Sequence, residues 1–191
     1  MQHGARREDG LAVRAPAWPS PAARFVVWFV TGTAALLGLY HFPFSSESLL
    51  PRFMTDSYAF YARAAGVLAH AADPSVRVQG STISGRFAVS VGPGCDAIEM
   101  MIPLVVAILA FPARAIHKVV GVLLAVLVVV VANIGRIASL YFAGAHSPDL
   151  FDLLHVDVWP AVLFAVCIVM FLLWARSVDP RTRGSRAVQA Q

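Results

Sequence analysis

Charge is what this chain has least of. Asp, Glu, Lys and Arg together make 14% of its 191 residues, lysine occurs once and cysteine twice. So little charge beside 58% hydrophobic residues is too apolar for a soluble domain of this length and points to an integral membrane protein. Cys95 and Cys167 form no CxxC pair, so spacing supports neither a disulfide framework nor a zinc site. No nucleotide motif and no inverted repeat is visible, and nothing implies a cofactor. His146, Asp149, Asp152 and His155 could bind a cation but suit a solvated loop equally well, so no metal site is assigned.

The basic residues that are present are almost all arginine, and most gather at the two ends and in one short loop, while Arg52, Arg63, Arg77 and Arg86 of the segment 41–94 resist that pattern. That distribution reports topology and partnership with a lipid bilayer, not nucleic-acid binding. Apolar segments run approximately over Arg24–Tyr40, Ala97–Phe111, Val119–Phe142 and Val158–Trp174. Three are long enough to cross a bilayer of about 30 Å, and the second, short and carrying Pro103, qualifies with its flanks. The first follows Arg6, Arg7 and Arg14 as a signal peptide would, but no small-x-small site follows Tyr40, so an uncleaved anchor is expected.

Four crossings put the N-terminal arm, the loop with Arg114, His117 and Lys118, and the tail with Arg176, Arg181, Arg183 and Arg186 on one side, which the positive-inside rule makes cytoplasmic. The loop 144–157 has Asp149, Asp152 and Asp157 but no Lys or Arg, as an outer loop should. The expected layout is a cytoplasmic basic arm over 1–23, one membrane-embedded domain over 24–177 with an outer segment 41–94 and a core 95–174, and a cytoplasmic basic tail over 178–191. The location is the cell inner (plasma) membrane, multi-pass, with both termini cytoplasmic.

Within the outer segment, Leu49, Leu50, Phe53, Met54, Phe60, Tyr61, Ala64, Val67 and Leu68 recur at near-helical spacing among Arg52, Asp56 and Arg63. This predicts an amphipathic helix lying on the membrane. Val76 and Val78, then Phe87, Val89 and Val91, alternate with polar or small residues around Gly80 and Gly85, which predicts a small β-hairpin. The fold class is therefore an all-α polytopic membrane protein with about four transmembrane helices, an outer amphipathic helix and a small hairpin.

Three residues stand out as chemistry. Arg136 lies inside the third apolar run, where an arginine costs about 2.5 kcal/mol or more unless it snorkels or finds a partner. Asn133 and Leu140 share its helix face, and two polar residues on one face imply a lined cavity. Cys95 follows Gly92-Pro93-Gly94 and opens the second helix, where backbone N–H groups and the helix dipole favour a thiolate nucleophile. His155 precedes the fourth helix as a candidate general base or acid, with Asp152 placed to orient it if the segment is helical. One topology brings all three to the same outer interface, and a nucleophile, a proton shuttle and a fixed cation are what acyl transfer needs. Cys167 sits in an apolar stretch and reads as packing.

These residues resemble a known family. The Gly94-Cys95-Asp96-Ala97-Ile98-Glu99 helix start, the Ala110-Phe111-Pro112 exit, Asn133-Ile134-Gly135-Arg136-Ile137 and Leu153-Leu154-His155 look like exosortases and archaeosortases, most similar to the exosortase H branch, over roughly Val89 to Trp174. Members often carry glycine two residues after the cysteine, where this chain has Ala97. The resemblance implies a membrane cysteine transpeptidase that recognises a C-terminal transmembrane sorting signal on secreted proteins. By that analogy Cys95 forms a thioester, His155 moves protons and Arg136 stabilises the oxyanion or holds substrate, with Asn133, Asp152 and Glu99 in support. The acceptor, whether amine, lipid or water, stays open. The competing class is a non-enzymatic scaffold or transport subunit in which Asn133 and Arg136 line a polar path. A redox enzyme is weaker, since it would want paired cysteines on one face.

Overall fold

A computed structural model of the chain describes residues 20–43 and 49–178. The basic arm expected over 1–23 therefore lies outside the described residues up to position 19, and the tail from 179 onward lies outside them too.

Helix α1 (Pro21–Tyr40) begins where Ser20 accepts a hydrogen bond from the Ala23 amide through its hydroxyl at 3.2 Å and Pro21 occupies the first turn. Proline suits that position because the amide it lacks would have had no partner there. No residue of α1 is buried, so the helix offers its apolar surface outward. It is held to the rest of the molecule mainly along α3 (Ile98–Ala110). Helix α4 (Ala115–His146) is 32 residues long, about 48 Å at 1.5 Å per residue. It runs four residues beyond each end of the expected Val119–Phe142 stretch. Ser147 and Pro148 end it, and the Ser147 hydroxyl caps the short helix α5 (Pro148–Asp152) by accepting from the Leu150 amide at 3.2 Å. A π-helix over Leu153–Val158 then leads into α6 (Trp159–Val178).

Three helical stretches are long and apolar enough to cross a membrane, Pro21–Tyr40, Ala115–His146 and Pro148–Val178, and α3 is a shorter apolar helix beside them. The protein is a polytopic, mainly helical membrane protein. Leu104 and Ile108 of α3, Ala125 and Val129 of α4, and Leu163, Cys167 and Trp174 of α6 form the core between these helices. Gly121 makes room for the Trp174 indole, whose Nε1 donates to the His117 carbonyl at 3.1 Å. The thiol of Cys167 points at the Met100 carbonyl, 3.7 Å away, so it belongs to this packing.

A second core lies at one end of the bundle. Helix α2 (Leu49–Ala72) buries Tyr61, Ala62, Ala65 and Ala69 against α4 and a small sheet, and it is not among the helices apolar enough to cross. The expected helix thus exists, and one of its faces serves the protein interior. Small alanines on that face allow close approach, while Phe53, Phe60, Val67 and Leu68 stay exposed.

The predicted hairpin is instead a three-stranded antiparallel meander, β1 (Arg77–Gln79), β2 (Thr82–Ser84) and β3 (Ala88–Ser90), with Val78 opposite Ile83 and Ile83 opposite Val89. The middle strand was missed because the two glycines read as one turn region. They mark two turns, the first with Gly80 at φ +58, a conformation glycine adopts without steric cost. Asp73 anchors the sheet. It is buried, and it accepts hydrogen bonds from the Ser75 amide at 3.0 Å, the Ser75 hydroxyl at 2.7 Å and the Tyr141 hydroxyl at 2.8 Å. Those donors, with Arg86 at 3.5 Å, hold its carboxyl below the ordinary carboxylate range.

Candidate active site

The sheet delivers the chain to a tight turn in front of α3. The Cys95 amide bonds the Gly92 carbonyl at 2.9 Å and Gly94 adopts φ +80. Ala97 also lies in the left-handed region, at φ 58, so this turn asks for glycine at a position where the chain has alanine. Asp96 is fully buried; its carboxylate accepts from the Ile98 amide at 3.2 Å and from the Tyr40 hydroxyl of α1 at 3.0 Å. The turn is thereby tied to α1 and α3, and Cys95, between the exposed Gly94 and the buried Asp96, is half-buried.

Helix α4 reaches the same turn from the other side. Asn133 is fully buried and Arg136 is 5% exposed, and their spacing of three puts both on the face turned toward Cys95. The Asn133 Nδ2 donates to the Cys95 carbonyl at 2.7 Å, and the Arg136 Nη1 donates to the Gly94 carbonyl at 3.4 Å. The guanidinium is also in electrostatic range of the side chains of Cys95 and Asp96. A guanidinium has five N–H donors, so one long bond to Gly94 leaves capacity for a second partner. Arg136 lies ten residues before the end of α4, about 15 Å at 1.5 Å per residue. The apolar run itself ends at Phe142, six residues after Arg136; α4 continues four residues further and packs on the sheet.

His155 comes from the π-helix. Such wide turns are uncommon and frequently mark functional sites. The imidazole stacks on Phe151 at 5.4 Å and 12°, and Phe151 leans on Phe87 of the sheet at 5.4 Å. Its Nδ1 is buried with no hydrogen-bond partner, and the ring lies in electrostatic range of Arg136 and Asp152. The Trp159 indole donates to the Ser139 hydroxyl at 2.9 Å, and that hydroxyl donates to the Arg136 carbonyl at 2.8 Å, which fixes the start of α6 beside the Arg136 turn.

Not every expected residue joins this group. Asp152 is exposed and makes no hydrogen bond to the His155 Nδ1, so it acts on the imidazole only through charge. Glu99 pairs with His41 at 3.4 Å, on the α1 side of the turn. His146, Asp149, Asp152 and His155 do not converge; among the described residues no three His, Cys, Asp or Glu side chains come together. Cys95 and Cys167 are free. Two residues were missed, Asp96 and Tyr40. An Asp at a helix start is a capping signal that the sequence did display, whereas its pairing with Tyr40, 56 residues away, had none. Tyr61 and Tyr58 of α2 face the same carboxylate: burial first, and Asp96 second, push Tyr61 up to about 12 and raise Tyr58. Both phenols therefore stay neutral.

A family model described as transmembrane exosortase, of the EpsH type, matches residues 13–173. The chain belongs to this family. The match takes in α1 through most of α6, and with it the Cys95 turn, the Asn133–Arg136 face and the His155 π-helix. No curated protein and no solved structure matches the chain.

Proposed function

We propose that the protein is a membrane cysteine transpeptidase that cleaves C-terminal sorting signals of secreted proteins and transfers the shortened protein through a thioester to an acceptor. Its site would be Cys95, Arg136 and His155. The observation that carries this reading is the clamp on the turn before α3: Asn133 and Arg136 hold the carbonyls of Cys95 and Gly94 while Cys95 as a residue stays only partly buried. A cysteine whose backbone is fixed in this way is what a positioned nucleophile requires.

The chemistry runs in two halves. His155 takes the thiol proton as the Cys95 sulfur adds to the scissile carbonyl carbon, and the oxygen that becomes negative is met by the free donors of Arg136. The C–N bond then breaks, the amine leaves with the proton held by His155, and the acyl group stays on sulfur. An acceptor N–H or O–H next gives its proton to His155 and attacks the thioester carbon, the C–S bond breaks, and the thiolate recovers the proton. The unpartnered Nδ1 of His155 leaves room for a water or a substrate group to set the tautomer.

We also place the sheet end outside the cell in the plasma membrane. Arg24, Arg114, Lys118 and Arg176 lie toward the opposite end of the helices and Asp149, Asp152 and Asp157 toward the sheet end, as the positive-inside rule would have it; Arg52, Arg63, Arg77 and Arg86 run against it, in a longer segment that the rule governs only loosely. A transport or scaffold role with Asn133 and Arg136 lining a path fares worse, since both donate to loop carbonyls and are buried.

The test is C-terminal processing of secreted proteins that end in an apolar helix, followed by mass spectrometry in cells carrying the parent, Cys95→Ala or Cys95→Ser. Both variants should abolish processing while inserting normally. Processing that survives in either removes Cys95 as nucleophile.

A further inference from the structure

Away from the site, at the end of the bundle opposite the sheet, α1 and α3 leave an open groove of about 670 Å³ between them. Its walls are apolar, from Phe25, Trp28 and Leu36 on α1 and from Val106 and Leu109 on α3, and its mouth holds two cations, Arg24 and Lys118. These come from different helices. Among the described residues no carboxylate lines the groove and neither cation makes an ion pair. The first turn of α4, which contributes Lys118, has no acidic residue either.

Length and charge together select an occupant. From Arg24 to Leu36 the α1 wall runs about 18 Å at 1.5 Å per residue, close to the roughly 15 Å of hydrocarbon in one leaflet. An apolar slot one leaflet deep with two uncompensated cations at its rim matches a lipid whose headgroup is negative, each cation adding favourable interaction with anionic lipid. The exposed indole of Trp28 along the wall adds further apolar contact. Lys118 already donates to the Leu109 carbonyl at the end of α3; an ammonium has three donors, so it can hold α3 and a phosphate at once.

We propose that this groove is a binding site for one anionic phospholipid, with its phosphate between Arg24 and Lys118 and one acyl chain lying along the α1–α3 seam. The inference is independent of the transfer chemistry. It gives α1, which buries nothing of its own, a second tie to α3 at the end remote from the Tyr40–Asp96 bond.

Native mass spectrometry of the full chain, delipidated in detergent and titrated with phosphatidylglycerol or phosphatidylcholine, tests it. One phosphatidylglycerol should be retained over phosphatidylcholine. Arg24→Gln, on an exposed side chain, should weaken that retention about fivefold. Ala35→Trp, which fills the slot and leaves both cations in place, should abolish it. Arg114→Gln, at the same end but outside the groove, should change nothing. Equal retention of the two lipids, loss in Arg114→Gln as large as in Arg24→Gln, full retention in Ala35→Trp, or a peptide found in the groove in place of lipid would each overturn the proposal.

Discussion

The side-chain amide of Asn133 bonds the backbone carbonyl of Cys95 at 2.7 Å across 38 residues of sequence. That single contact joins the middle of α4 to the residue at the centre of the candidate site. Losing the donor would leave a part-buried carbonyl without its partner, a cost of about 1–3 kcal/mol. Asn133→Leu should therefore lower thermal stability in detergent by that amount and reduce processing at least about tenfold. Asn133→Asp, the same shape without the donor, should move both readouts the same way. Parent-like behaviour in both variants would mean the turn is held by something else.

Arg136→Lys keeps the charge and loses the planar fork. With one guanidinium donor on the Gly94 carbonyl and others proposed for the substrate, a lysine keeps donors but not the planar fork that aims them in two fixed directions. The variant should insert and fold, yet process at least about tenfold more slowly, a change in rate that single-turnover measurement separates from binding. Full activity would reduce Arg136 to a packing or topology role.

Ala97 sits at φ 58 with 4% of its surface exposed. Left-handed backbone costs a non-glycine residue about 1–2 kcal/mol, while its buried methyl contributes about 0.8 kcal/mol. Ala97→Gly should thus be neutral to slightly stabilising and keep activity. Ala97→Val, branched at Cβ, should be clearly destabilised. Thermal unfolding of the pair decides it, and the opposite order would count against a left-handed turn.

Acid should loosen the sheet end through Asp73. Its native-state pKa lies below the ordinary 3.8, so its carboxylate contributes stability that is fully present above that value and is lost as pH falls through the native one. Asp73→Asn should be less stable than the parent at neutral pH, and the gap should close as pH drops below about 4. A gap that stays constant from neutral to acid pH would show that its ionisation is not linked to folding.

Two glycines of the membrane helices should respond in opposite ways to alanine. At Gly121 a methyl would run into the Trp174 ring, whereas at Gly38 nothing lies within 4 Å. Gly121→Ala should cost about 1–3 kcal/mol through overpacking, and Gly38→Ala should be neutral or gain up to about 1 kcal/mol from helix propensity. Unfolding midpoints in one detergent give the comparison.

What could be read in advance divides along physical lines. The apolar runs that became α1, α4 and α6 were legible because hydrophobic length is a local property, and the Asn133–Arg136 face followed from helical periodicity alone. The glycine turn before Cys95 was legible for the same reason. Contacts that close over long sequence distances were not: Tyr40 with Asp96, Tyr141 with Asp73 across 68 residues, and Glu99 with His41. No local pattern announces such pairs, since each partner alone looks like an ordinary polar residue at an element's end. The π-helix under His155 was also silent, because no residue pattern in Leu153–Val158 distinguishes it from an α-helical turn. Three-residue strands carry too little alternation to be counted reliably.

Helix α3 has only 13 residues, about 20 Å of rise against a hydrocarbon slab of about 30 Å. With Phe111 packed among Phe25, Phe171 and Trp174 at one end, the other end stops roughly 10 Å short of the opposite boundary. In the proposed orientation the Cys95 turn would then lie below the outer boundary unless the lipid thins around it. On the proposed transfer chemistry, bilayer thickness becomes a control on how readily a peptide bond reaches the thiol, so acyl-chain length in a reconstituted membrane should tune the rate without any change in the protein.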